Sequence, residues 1–502
     1  MRSQSRKELK EASLHTGIST GLAMLMFVGQ CAAQEFHPVI PKAWDDKEVE
    51  RFETPLAQRD RSPRHMSAKE YYRLKPRSIY RSYPVYAAGR EPAGYREWLK
   101  QREPEIIFDS SKLRTKADWI SAGKIVFGDD ISFLPAPDQA RPLPVFLKLS
   151  SDGVLPPHLT GGRYYIRKKG VVEIGGASCS NCHTRLMPDG SWFEGGQGTA
   201  REGAEFADPI RQGGPEVYAN FVEELWGEHG APWIQSKEDF KKVLTRDTVL
   251  RVLDYEHPYV LERQGTSVFS PVHIPSLIGI QDLKYLDATG LGHHRSIGDL
   301  MRYAILNQGL DTLAHYGDFQ PTSKGTLYSS EAGTRYSDEQ LYAMALYIYS
   351  LKPPPNPNPA DDRARRGERI FERQGCGGCH TPPLYTNNKL TPVQGFKVPR
   401  DLLKSENILN VSVGSDPTLA LKTRRATGFY KVPSLRGVWY RNAFGHSGQA
   451  ETLEEWFDPA RLGDDYVPNG FHLGPGPIKG HEFGIKLPPQ DRQDLIAFLK
   501  TL

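Results

Sequence analysis

The chain places two thiols and an imidazole at one spacing twice, in Cys179-Ser180-Asn181-Cys182-His183 and in Cys376-Gly377-Gly378-Cys379-His380. The fifth cysteine, Cys31, lies near the N-terminus, so every later cysteine belongs to one of these motifs. Thiols at this spacing can reach the two vinyl groups on one edge of a haem, and the histidine that follows can turn its ring under the macrocycle to bind iron. Two dithiols could instead close as disulfides, or two Cys-x-x-Cys knuckles could form one zinc site. Neither alternative requires histidine at the fifth place, and here it stands there twice. The expected cofactors are two covalently bound c-type haems, with Cys179, Cys182, Cys376 and Cys379 as attachment points and His183 and His380 as axial iron ligands.

The elements that must position these motifs repeat as well. Gly123-Lys124-Ile125-Val126-Phe127 matches Gly367-Glu368-Arg369-Ile370-Phe371, and Ile274-Pro275-Ser276-Leu277-Ile278-Gly279 matches Val432-Pro433-Ser434-Leu435-Arg436-Gly437. His293 precedes Leu300 by the interval that separates His446 from Leu453. Each half closes on a helical pattern, Ser337 to Leu351 and Pro489 to Leu502, and the proline-rich stretch from Lys352 to Pro359 reads as the linker. The spacing thus predicts a mainly α fold of two cytochrome c-like domains, residues 113–352 and 353–502. About fifty residues separate Phe127 from Cys179, against a few in the second half, which marks a loop and short-strand insert over roughly 128–175 with a strand pair around Tyr164 to Ile174. Residues 34–112 have weak periodicity and read as an N-terminal extension lying over both domains.

Composition narrows the class. With 502 residues, 38% hydrophobic side chains and a formal charge of +4, the chain has room for two or three domains. Its basic clusters, such as Arg363, Arg365 and Arg366, adjoin Asp361, Asp362 and Glu368, which argues against a nucleic-acid partner. Arg2, Arg6, Lys7 and Lys10, an apolar run from Ile18 to Val28 and Cys31-Ala32-Ala33 read as a signal peptide over 1–33, hence a periplasmic or secreted protein with no membrane span after cleavage. An uncleaved anchor is the alternative, against which the run is short and broken by Ser19, Thr20 and Gly21; in a lipoprotein reading Cys31 would follow the bulky Gln30.

These motifs, together with Lys431-Val432-Pro433-Ser434-Leu435-Arg436 and Phe444-Gly445-His446-Ser447-Gly448-Gln449 leading into Thr452-Leu453-Glu454-Glu455, resemble the bacterial di-haem cytochrome c peroxidase and MauG superfamily. The resemblance covers most of residues 113–502. It implies one haem that performs oxygen chemistry and a second that passes electrons. Where the family's peroxidases have Trp-Asp-Gly this chain has His293-His294-Arg295, and where they have an Asn at an interdomain calcium site it has His273, which leaves calcium without its usual anchor. Their catalytic Glu finds only Asp311 nearby. The missing Glu, the insert and the wide spacing between haem motifs bring the chain nearest to the rubber oxygenase-like branch, so peroxide and dioxygen both stand as the small-molecule oxidant.

The sixth iron position decides between electron transfer and reactivity. The second half contains no methionine, and its free histidines are His446, His472 and His481. In small c-type domains the distal ligand comes from the loop before the last helix, where His481 lies; His446 is the alternative. After the first motif no histidine follows until His229, which points to an open first haem, with His293, His294 and Asp311 as candidate catalytic groups. The expected function is an exported di-haem oxidoreductase in which the first haem activates oxidant and the second exchanges electrons with a periplasmic donor or an organic substrate. A non-enzymatic di-haem electron carrier is the alternative. Because thioethers survive denaturation, the chain purified from a host that matures c-type cytochromes should show by intact mass two haems added covalently; a bare polypeptide mass would refute the assignment.

Overall fold

The structure, a computed structural model, describes residues 35–137, 152–159, 161–198, 204–255, 271–307, 314–321 and 334–502. The proposed signal segment and Asp311 lie outside them. The fold is mainly helical with small sheets, most of them antiparallel. Among the described residues no helix is long and apolar enough to cross a membrane.

Two helix crossings organise the core. In one, α1 (Lys116–Phe127) packs across a helix that closes the first half, Asp338–Ser350, which is capped by Ser337 and carries the buried Leu341, Met344 and Ile348. In the other, Asp362–Arg373 packs across Pro489–Leu499, with Ile370, Phe371, Leu495 and Phe498 buried between them. These three helices are α2, α3 and α4 in chain order. The repeated glycines explain both contacts. A Cβ on Gly123 would stand 1.9 Å from the Ala343 carbonyl oxygen and 2.9 Å from the Tyr347 Cβ; on Gly367 it would stand 1.9 Å from the Asp494 carbonyl oxygen and 2.8 Å from the Phe498 Cβ. In each half a glycine thus lets one backbone rest on two positions, i and i+4, of its partner.

The insert supplies three strands of a four-stranded antiparallel sheet. In spatial order its strands are Ser82–Pro84, Arg163–Lys168, Val171–Gly175 and Phe133–Pro135. The expected strand pair is its centre, with Tyr164 opposite Ile174, and the strand preceding it comes from the N-terminal extension. That extension is more than a surface arm. It buries Trp44, Phe52 and Tyr71 in the main core and pairs Lys75–Pro76 with Thr334–Arg335. Its periodicity is weak because each of its short elements packs against a different partner. Between the halves, the Thr54 amide donates to the Leu291 carbonyl at 2.9 Å and the Ala57 amide to the Ala426 carbonyl at 2.8 Å.

Replacing Gly367 by alanine in the holoprotein should lower thermal stability by about 1–3 kcal/mol, since an extra methyl must push the crossing backbones apart. Gly476→Ala, with nothing within 4 Å of the new Cβ, should stay within about 0.5 kcal/mol. Equal melting temperatures for the two variants would contradict the packing argument.

Candidate functional site

The second motif follows α3 directly. Gly375 adopts a left-handed conformation (φ 72°) and reverses the chain into the tight turn Cys376–Gly378, which delivers Cys379 and His380. His380 Nδ1 donates to the carbonyl oxygens of Tyr385 at 3.1 Å and Pro433 at 3.2 Å. Anchoring that nitrogen leaves Nε2 as the free donor toward a metal. Across a cavity of about 330 Å³ stands His481, its ring centre 6.2 Å from that of His380 and the two planes at 59°. A metal–imidazole bond is about 2.0 Å, and the ring centre lies roughly 1.1 Å behind the nitrogen, so two imidazoles on opposite faces of one iron have centres about 6 Å apart. Burial lowers the His380 pKa against the pull of its two carbonyls, and burial with the nearby His380 lowers that of His481 to about 4. Burial thus favours the neutral form of both rings, which is the form that ligates.

The rest of this cavity fits a haem. Its walls are largely apolar, including Phe371, Leu435, Trp456 and Leu499, while Cys376 and Cys379 open onto it. Arg441 also lines it, donating Nη2 to the Arg436 carbonyl at 2.7 Å while its buried Nε has no partner, and burial pulls its pKa down. A buried guanidinium with an unmet donor suits an anionic group such as a haem propionate. The cavity continues past Gln197, His273 and Ser276 from the first half.

His446 reaches the same cavity but faces differently: its ring stacks on Tyr430 at 4.4 Å with 18° between planes. Burial lowers its pKa to about 4. His273 directs both its amide (3.2 Å) and Nδ1 (3.1 Å) at the His446 carbonyl, so this imidazole serves as a hydrogen-bond donor. His472 Nδ1 bonds the Gly470 carbonyl at 2.9 Å.

The first motif forms one helical turn, Cys179–Cys182. Ser178 caps it, with Asn181 reciprocating. His183 Nδ1 meets the Pro275 carbonyl at 3.1 Å, the counterpart of the His380–Pro433 contact. Cys179 Sγ lies 4.0 Å from Met344 Sδ, and burial pushes its thiol up to about 11. None of the four motif cysteines is in a disulfide, and among the described residues no cluster of three or more His, Cys, Asp or Glu is placed to hold a metal ion.

His293 and His294 are held by protein partners rather than solvated. His293 Nε2 bonds Glu406 at 2.9 Å and its Nδ1 meets the Phe52 carbonyl at 3.1 Å; burial opposes the charged ring, but Glu406 outweighs it and raises the pKa. His294 bonds the Leu283 carbonyl at 2.9 Å and the Tyr349 hydroxyl at 2.6 Å, and burial lowers its pKa. A histidine that the motif pattern does not mark, His158, comes close to the first site from the insert. Its carbonyl accepts from Asn181 Nδ2 at 2.6 Å, its ring lies 4.2 Å from Trp192, and burial with Arg163 lowers its pKa to about 4.

No protein-family model matches the chain. Over 141 residues it is 28% identical to the methylamine utilization protein MauG of Methylorubrum extorquens, a stretch that is 28% of this chain and 34% of that protein. This chain resembles the MauG superfamily in sequence. The MauG match spans about a third of the relative's length. Among solved structures, hydrazine synthase of Kuenenia stuttgartiensis aligns with a TM-score of 0.28 at 15% identity, over 60% of this chain and 94% of that one. A variant of the diheme peroxidase BthA from Burkholderia thailandensis aligns with a TM-score of 0.24 at 16% identity, over 85% of this chain and 93% of that one.

With His481 facing His380, the ferric second haem should be low-spin without the near-infrared band of a thioether ligand. His481→Ala should turn it high-spin, which electron paramagnetic resonance reads directly. An unchanged low-spin signal would exclude His481 as the distal ligand.

Proposed function

We propose that the chain is an exported di-haem c-type oxidoreductase. In this reading it consists of the two haem domains and the extension set out above. The first site (Cys179, Cys182, His183) activates peroxide or dioxygen, and the second (Cys376, Cys379, His380, with His481 distal) passes electrons. The observation that carries the reading is the His380–His481 pair. A haem iron held here by His380 and His481 would have no position left for an oxidant and would be suited to electron transfer, which would leave reactivity to the first site. The likeness to MauG supports the same class.

A haem bound at the first site supplies an iron able to take peroxide or dioxygen. The protein's role is to orient and connect. The hydrogen bond from His183 Nδ1 to Pro275 fixes the tautomer, so that Nε2 presents its lone pair to the metal. Ser276, the next residue, lies 3.1 Å from the Tyr440 hydroxyl, and the Tyr440 ring packs at 5.2 Å from Phe193. Tyr440 ends the turn that follows Pro433-Ser434-Leu435, so a few bonds and one hydrogen bond link the loops behind the two proximal histidines. Arg185 to Asn442 at 2.6 Å and Gln197 Nε2 to the Ala443 carbonyl at 3.2 Å hold the halves in this relation. In this reading His293 and His294 serve structure.

Cyanide or carbon monoxide should bind one haem of the wild-type protein, and His183→Ala should abolish that binding together with turnover of peroxide or dioxygen. Ligand binding at the second haem with a six-coordinate first haem would reverse the two roles. Two haems that remain six-coordinate in both redox states would establish the electron carrier instead.

A further inference from the structure

The loop that presents His481 has little regular structure. Gly480 (φ 81°) and His481 (φ 48°) are both left-handed, and a Cβ on Gly480 would come within 2.2 Å of the Ser415 amide nitrogen. A side-chain-bearing residue in that conformation costs free energy and persists only where its surroundings over-determine it.

One side chain supplies most of that constraint. Arg461 is fully buried, at 0% exposure, in the short helical turn Pro459–Leu462. Its Nε donates to the Trp456 carbonyl at 2.7 Å, its Nη1 to the Ile478 carbonyl, and its Nη2 to the carbonyls of Gly480 at 2.9 Å and His481 at 3.0 Å. The Ile478 amide returns a bond to the Arg461 carbonyl at 2.7 Å. From the opposite side the His481 amide donates to the Val413 carbonyl at 2.7 Å. The guanidinium also sits 4.8 Å from the centre of the Trp456 ring, and that ring lies 5.6 Å from the ring of His481. Three nitrogens thus grip four carbonyls, three of them on the His481 loop. A planar fork of fixed donors can do this, whereas the single ammonium of lysine cannot reach the same set.

We infer that Arg461 is the positioning residue of the distal ligand: it locks residues 478–481 so that the His481 imidazole stands opposite His380 before iron is bound. The inference rests on the reading of His481 as the distal ligand. It assigns a functional role to a side chain that touches neither the haem cavity nor His380.

The test uses the holoprotein, with covalent haem counted by pyridine haemochrome. Arg461→Gln should keep two haems per chain and an unchanged signal from the first haem. The second haem should lose its low-spin signal, gain carbon monoxide binding and shift in midpoint potential, and millimolar imidazole should restore the low-spin spectrum. Arg461→Lys should do the same to a lesser degree, and it serves as the probe if the glutamine variant fails to mature. A wild-type low-spin signal in the variant, with only the melting temperature lowered, would show Arg461 to be ordinary structural packing and overturn the inference. His481→Ala separates the two levels. If it leaves the second haem low-spin, the ligand reading fails, and the inference with it; if it yields high spin while Arg461→Gln does not, only the inference fails.

Discussion

An imidazole serves as an iron ligand only when it is neutral and one nitrogen points its lone pair at the metal, which requires the other nitrogen's proton to be tied down. The two histidines proposed as proximal ligands are tied down by the same device. Pro275 and Pro433 offer main-chain carbonyls to Nδ1 of His183 and His380 at 3.1 and 3.2 Å. Each proline segment is in turn fastened to the chain just beyond its haem motif: the Leu277 amide donates to the Gly195 carbonyl at 2.8 Å and the Leu435 amide to the Tyr385 carbonyl at 3.2 Å. The proximal imidazole, the proline carbonyl and the strand or turn after the motif therefore form one closed unit in each half. In the second half the glycine crossing also fixes α3, the helix that runs directly into the motif.

What distinguishes the halves lies around those units. The second has an imidazole across its cavity; the first is flanked by the insert sheet and by His158 against Trp192. The N-terminal extension then runs past both. Its Glu53 meets the fully buried Arg425, and His65 Nε2 joins the same carboxylate at 2.8 Å. Burying such charges recovers little net stability, because desolvation offsets most of the Coulomb gain. Their effect is on geometry: a carboxylate that must satisfy both Arg425 and His65 allows one seating of the extension on the second half.

The features legible in the sequence are those whose chemistry is local. Cys-x-x-Cys-His needs only five residues, and Gly123 and Gly367 stand out because a helix crossing accepts no side chain at that point. The Pro-Ser-Leu segments are visible as a repeat, although their task, carrying the carbonyl for the proximal imidazole, appears only when residues about ninety and fifty positions away come together. His481 can be singled out by its place before the last helix. Arg461 cannot: an arginine in an acidic, proline-containing loop reads as a solvated charge, and only the folded chain shows it at 0% exposure with four carbonyl partners. His158 is hidden for the opposite reason, since it precedes its motif and reaches it through a main-chain carbonyl. His293 and His294 sit in a glycine-rich stretch that looks exposed, yet their partners Glu406, Leu283 and Tyr349 enclose them.

A loop ligand that must be frozen on binding loses affinity in proportion to the time it spends elsewhere, because apparent affinity scales with the fraction of molecules in the competent conformation. A histidine at φ 48° would by itself hold that conformation rarely. If His481 ligates as proposed, the bonds from Arg461 and Val413 would shift the cost from ligation to folding, where it is shared with the burial of Trp456, Phe457 and Leu495 around the same cavity. The consequence is kinetic as well as thermodynamic. In the proposed reading, a distal ligand that does not swing away would keep the same coordination in both oxidation states, so that electron transfer would need little rearrangement and small exogenous ligands would be refused at the second site. On the proposed reading, selectivity between two chemically identical cofactors would rest on loop rigidity at one site more than on the Cys-x-x-Cys-His motifs that both sites share.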